Sequence, residues 1–207
     1  MRFLYEDNHL LIALKPEGLP TQPEFIERLK KQLKEKYQKS GNVFLEPIHR
    51  LDKPVSGLVL CAKTSKALSR LQAMMRERKI EKRYVALLTG ELPALEGELE
   101  HFLFHDAHRA RVVPRTHSEG KQALLRYRLL KEKEGKKLVE IELLTGRYHQ
   151  IRAQFSAIGC PIIGDAKYGS TLSWKGEGIA LHHCRLQFIH PVSLQPLEIS
   201  SDNCSMI

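Results

Sequence analysis

The chain holds only four cysteines, Cys61, Cys160, Cys184 and Cys204, and no two are spaced as C-x-x-C. That scatter excludes a zinc ribbon and a disulfide framework, and buried reduced thiols are expected. No apolar stretch approaches the roughly 18 residues that a membrane-spanning helix needs. The short run at residues 10–14 has acidic residues upstream, Lys15 downstream and no small-residue cleavage pattern, so it does not read as a secretory signal. A soluble, cytoplasmic protein without a membrane partner is expected. Neither G-x-x-x-x-G-K-[ST] nor G-x-G-x-x-G occurs, which removes the usual nucleotide-cofactor cradles. Repeats and low-complexity segments are absent too. His101, His105 and His108 have the spacing of one helix face, but HFLFHDAH is the least helical part of the chain. It lacks H-E-x-x-H and has no cysteine nearby, so no metal site is assigned.

What is abundant is positive charge: 33 Lys and Arg against 24 Asp and Glu leave a formal +9. A polyanionic partner follows from that balance, and nucleic acid and an anionic membrane surface would both satisfy it. Hydrophobic residues at 42% and charged residues at 28% are enough for a packed core, and 207 residues suit one domain, taken as 1–207.

The apolar run at 10–14, stopped by Lys15-Pro16 and Gly18, predicts a buried strand entering a turn. Ile26, Leu29, Leu33 and Tyr37 recur at helical spacing with a lysine-rich outer face, Thr21 and Pro23 marking the start. A second apolar strand is predicted at 58–62. Thr64 or Ser65 then caps a helix whose apolar face is Leu68, Leu71 and Met75. Residues 84–88 resume strand character. From Gly90 to Gln122 periodicity is weak, and Arg109, Arg111 and Arg115 suggest an exposed, RNA-facing loop. Leu125, Tyr127 and Leu129, then Gly135, then Val139, Ile141 and Leu143 form a hairpin pattern. A short helix follows at Ile151, Phe155 and Ile158, then strands at 184–188 and 197–199, with 200–207 expected to fray. Strands with few helices in no regular alternation favour an α+β domain, a mixed and mainly antiparallel sheet with flanking helices.

Two blocks carry chemistry. In His49-Arg50-Leu51-Asp52-Lys53-Pro54-Val55-Ser56-Gly57, a carboxylate sits between cations at the mouth of a core strand, placed as a nucleophile or general base must be. Leu51 interrupts any kinase-like H-R-D, and no D-F-G follows. In Leu144-Thr145-Gly146-Arg147-Tyr148-His149-Gln150-Ile151-Arg152, a turn feeds a helix whose first residues are basic or carry an amide. Such a start binds phosphate or aims an arginine at a carboxylate.

Taken in order, YEDNHLLIALKPEGLPTQP, HRLDKPVSGLVLCAKT, KRYVALLTGEL, LLTGRYHQIRAQFSAIGCPIIGDAKYG and ALHHCRLQFIHP resemble the RluA-type family of pseudouridine synthases, which modify ribosomal and transfer RNA. Val55 stands where threonine is commoner, and Tyr148 where threonine or serine is expected. The first motif begins within a few residues of Met1, so the family's S4-like domain is expected to be absent. The resemblance implies a single catalytic domain with a central RNA-binding cleft, no cofactor and an RNA partner, and a monomer is the default expectation. It implies Asp52 as the catalytic aspartate, Tyr84 as the tyrosine against the target base, and Arg152 as the partner of Asp52. His49, Arg50, Arg147, His149 and Gln150 would bind substrate, Arg50 filling the gap left by the extracted nucleotide. The basic residues from Lys63 to Arg83 and from Arg109 to Lys121 would grip the RNA backbone. The competing expectation is a non-catalytic RNA-binding or RNA-folding protein on the same scaffold. A metal-dependent hydrolase using the histidines ranks last.

Overall fold

A computed structural model of the chain describes residues 1–201, which fall into two compact units, 1–81 with 183–201 and 82–182. The expected α+β class is what the chain forms: among the described residues there are eleven strands, β1–β11, and three α-helices, α1–α3.

In the first unit, β1 (Arg2–Glu6), β2 (Leu10–Lys15), β4 (Ser56–Ala62) and β10 (Leu181–Ile189) lie side by side, with β3 (Glu46–Pro47) on β4 and β11 (Pro196–Ser200) on β10. β2 and β4 run antiparallel with Leu10 opposite Ala62 and Ile12 opposite Leu60. Leu10 through Ala13 are all fully buried, so both faces of β2 are covered. That is why its sequence is a continuous apolar run and not an alternating one. Helix α2 (Ser65–Arg76), capped by the Thr64 hydroxyl accepting from the Ala67 amide, sets Ala67 and Leu71 into a cluster with Leu10, Ile12, Leu58, Leu60, Leu186 and Phe188. Helix α1 (Ile26–Tyr37) buries Ile26, Leu29 and Leu33 of the predicted stripe, while Tyr37 at its end is exposed. β1, which the apolar pattern did not mark, is a half-exposed edge strand.

Glu6 ends β1 and accepts from Lys36 at 2.6 Å, Lys63 at 2.8 Å and the Tyr37 hydroxyl at 2.8 Å. Burial alone would raise its pKa, yet those hydrogen bonds bring it down to about 2. A lowered carboxylate pKa stabilises the fold above the unfolded value and loses that contribution as pH falls through the folded one. Urea unfolding should therefore show stability falling from about pH 4.5 towards about pH 2, and Glu6→Gln should flatten the decline in that window. An unchanged slope would remove Glu6 from the explanation.

In the second unit the order is β5 (Glu81–Leu88), β9 (Lys136–Leu143), β8 (Lys121–Lys133), β6 (Glu96–Asp106) and β7 (Arg109–Val113), every pairing antiparallel. The predicted hairpin is β8–β9. It turns on Glu134 and Gly135, both at positive φ (52° and 69°), the backbone that a tight two-residue hairpin requires. The expected loop at 90–122 is instead largely the hairpin β6–β7. Its alternation is clear at Glu98, Leu99 and Glu100, but His101 to Phe104 place half-buried aromatic and histidine side chains on both faces and hide the period. Arg109 and Arg111 lie on β7, while Arg115 sits in the turn beyond it. Helix α3 (Gln150–Ala157) packs on β6 and β7, where Ala153 meets Leu103, Ala110, Ala123 and Tyr168.

Ser200 closes β11 opposite Arg185, so fraying does not begin there, and the rest of the expected tail from 202 lies outside the described residues. Cys61, Cys160 and Cys184 are buried and form no disulfide, and Cys204 lies outside the described residues. Among the described residues no helix is long and apolar enough to cross a membrane.

Candidate active site

The loop between β3 and β4 carries His49, Arg50 and Asp52, and its course is set by side chains standing in for a strand partner. Ile48 donates its amide to the Leu60 carbonyl at 2.9 Å, while Leu60 donates its own amide to His49 Nε2 at 3.2 Å. The chain thus leaves the sheet at His49 without orphaning β4. Leu51, buried, is clamped at both backbone groups by one hydroxyl. Its amide donates to Thr21 Oγ1 at 3.0 Å, and Thr21 donates back to its carbonyl at 2.8 Å. The next residue is Asp52. A turn closed by the Val55 amide on the Asp52 carbonyl at 3.0 Å, with φ fixed at Pro54 and Val55 buried, holds its far side. Asp52 is half-buried and Arg50 exposed.

Beneath this loop lies Lys15, 0% exposed, its ammonium donating to the carbonyls of Pro16 (2.8 Å), Leu19 (2.6 Å) and Lys53 (3.3 Å). Burial lowers its pKa to about 8, opposed by the negative charges of Asp52 and Glu17. A cation with all three N–H groups committed to backbone ties the turn at Pro16 and Leu19 to the loop that carries Asp52. At Gly57, where β4 resumes, φ is +127° and an added Cβ would lie 2.4 Å from the His183 carbonyl oxygen, so only glycine fits against β10. His183 donates Nδ1–H to the Leu58 carbonyl at 2.6 Å, an ordinary strand-to-strand role.

Tyr84 lies on β5, buried, opposite Ile141 of β9. Arg152, on the first turn of α3 and 4% exposed, makes a two-point bond to Asp165, Nε to Oδ2 at 2.7 Å and Nη2 to Oδ1 at 2.9 Å. Asp165 is 2% exposed. The turn before α3 is built by Gln150, whose Oε1 accepts from the Thr145 hydroxyl (2.8 Å) and the Arg147 amide (3.0 Å), while Nε2 donates to the Leu124 carbonyl (3.1 Å). Its amide is therefore invested in the turn. His149 enters α3 with φ 49° and shares a 2.9 Å bond between Nδ1 and the Tyr168 hydroxyl, whose oxygen accepts from the Ala110 amide at 2.8 Å. Burial, helped by Arg152 and Lys167, lowers the His149 pKa to about 3, so the ring is neutral at physiological pH. Arg147 is exposed and donates Nε–H to the Gln122 carbonyl at 2.9 Å.

Several cations expected to grip RNA are engaged within the protein: Lys63 by Glu6, Arg83 by Glu140 at 3.0 Å, Arg70 by the Pro191 carbonyl, and Arg111 by Asp106. Sequence reasoning read Lys15 only as a strand stop and Thr21 only as a helix start, and gave no role to Asp165 or Tyr168. The blocks LKPEGLPTQP and GDAKYG contain all four, but nothing local in them distinguishes a buried ion from a solvated one.

Residues 9–157 match the family model described as RNA pseudouridylate synthase, a span that contains Asp52, Tyr84 and Arg152. Ribosomal large subunit pseudouridine synthase C of Vibrio cholerae is 34% identical over 95% of this chain, which spans 64% of that relative's length. Dual-specificity RNA pseudouridine synthase RluA of Haemophilus ducreyi is 31% identical, covering 96% of this chain and 91% of the relative. In fold, the chain is similar to human RNA Pseudouridylate Synthase Domain Containing 4, with a TM-score of 0.81 at 24% identity over 97% of this chain and 87% of that one.

Proposed function

The chain belongs to the RNA pseudouridylate synthase family, and from that premise we propose that it isomerises specific uridines of ribosomal or transfer RNA to pseudouridine, with Asp52 as the catalytic carboxylate. The observation that carries the reading is the carboxylate's mounting: a half-buried aspartate on a loop clamped by Thr21 and Lys15, inside the span that matches the family. The reaction breaks the C1'–N1 glycosidic bond, turns the uracil, joins it through C5 and removes the C5 proton. No electron is gained or lost, so no cofactor is required. The carboxylate supports cleavage either by attacking the sugar or by removing a sugar proton. Tyr84 offers a π-face to the base and a hydroxyl for the C5 proton, and Arg152 is the cationic partner of the reacting carboxylate. His49, Arg50, Arg147, His149 and Gln150 shape and hold the substrate path, Gln150 by building the turn that carries Arg147 and His149.

A paired base is out of reach, so the target is flipped out at a cost of about a few kcal/mol, offset by phosphate contacts to the +9 protein. Relatives named as ribosomal large subunit pseudouridine synthases support ribosomal RNA as a substrate. The whole chain serves as one catalytic domain, monomeric and cytoplasmic. RNA carrying C5-tritiated uridine should release tritium on incubation with the protein, and pseudouridine mapping of the product gives the site. Binding of RNA without release from ribosomal or transfer RNA would overturn catalysis in favour of an RNA-folding role.

A further inference from the structure

Tyr148 departs from the small hydroxyl residue of the motif pattern, and 40% of it is exposed beside a charged turn. It does not stand alone. Its ring stacks on His149 at 3.8 Å between centroids with 19° between planes, and His105 of β6 covers its other face at 4.0 Å. The inner end of this three-ring pile is fixed, because His149 is buried and bonded to Tyr168. The outer end is exposed, and a 3.1 Å bond between His105 Nε2 and the Ala107 carbonyl orients its ring. The pile borders a cavity of about 500 Å³ with the buried side chains of Leu103 and Ala110 at its base. Arg147 and Lys121 line it as well. Arg147 uses only Nε internally, and neither cation is paired with a carboxylate among the described residues. Glu119 is the cavity's one carboxylate.

We propose that this cavity binds one unpaired nucleotide of the substrate RNA, its base continuing the His105–Tyr148–His149 pile and its phosphate meeting Arg147 and Lys121. The proposal deepens the isomerase reading and rests on it for the identity of the RNA. Every base has a π-face, so a ring platform accepts any base, and rings already held in register lose little freedom on binding. Selectivity comes from Glu119, which accepts from the exocyclic amino group of cytosine, adenine or guanine, whereas uracil offers only N3–H between two carbonyl oxygens that repel a carboxylate. A guanidinium and an ammonium at the rim suit the phosphate oxygens, and the contact is salt-sensitive.

The test is equilibrium binding of a short labelled cytidine oligoribonucleotide, of the matching uridine oligomer, and of an abasic ribose-phosphate oligomer of the same length. His105→Ala and Tyr148→Ala should each weaken binding of the cytidine oligomer by roughly five- to a hundredfold, the range for losing a stacked base. Both should bind the abasic oligomer as the wild type does, and His105→Phe should restore the loss. The wild type should prefer cytidine to uridine, and Glu119→Gln should narrow that preference. Equal binding of the cytidine oligomer by His105→Ala and the wild type would overturn the platform. So would an equal loss on the abasic oligomer, or no measurable binding by the wild type. No turnover enters the assay, so a protein that binds as stated but releases no tritium overturns the isomerase reading alone.

Discussion

Asp52→Asn is expected to reduce C5-tritium release by at least about 10²- to 10⁴-fold, the range for removing a positioned acid or base, while RNA affinity and melting temperature stay near those of the wild type. The carboxamide has the carboxylate's shape but neither its charge nor its basicity, so it can neither attack the sugar nor take a sugar proton. The loop should keep its course. Leu51 stays clamped by Thr21, and the bond from the Val55 amide goes to the backbone of residue 52, not to its side chain. The group that feels the change is Lys15, which loses the opposing charge that favours its ammonium. Tritium release measured alongside gel-shift binding of the same RNA separates chemistry from affinity. Equal release from the variant and the wild type would take Asp52 out of the reaction.

How far the molecule was legible depends on where its physics is written. Strands β2 and β4 and helices α1 and α2 follow from runs and stripes of apolar residues, because one element's own pattern states which of its faces are buried. β6 was missed because a strand whose two faces both carry histidine and aromatic side chains has no period to read. Asp52 was marked by its motif, and its sequence neighbours Pro54 and Val55 close the turn on its far side, but the clamps on the rest of its loop come from distant residues. Lys15 was not legible. A lysine after an apolar run reads as a solvated stop signal, and only its three carbonyl partners, one of them 38 residues away, make it an internal tie. The same holds for Thr21, whose hydroxyl matters because Leu51 arrives against it. Arg152 was marked for its place in a motif, but its bond to Asp165 spans 13 residues and a change of direction that no helical spacing encodes.

That bond yields the second large effect. Asp165→Ala removes a carboxylate that meets Arg152 at two points with both side chains buried, and breaking such a pair from one side costs about 3–5 kcal/mol. At roughly 2–4 °C per kcal/mol for a chain of this size, the melting temperature should fall by about 6–20 °C. Loss of activity in that variant would not separate a damaged fold from a missing catalytic cation. The double variant Arg152→Met with Asp165→Leu does, because replacing both ions with apolar side chains of similar volume is often neutral or stabilising. Its melting temperature should return most of the way to the wild-type value while tritium release stays abolished. A double variant that is both stable and active would leave Arg152 a structural ion and nothing more. Calorimetry and tritium release on the two variants decide between these outcomes.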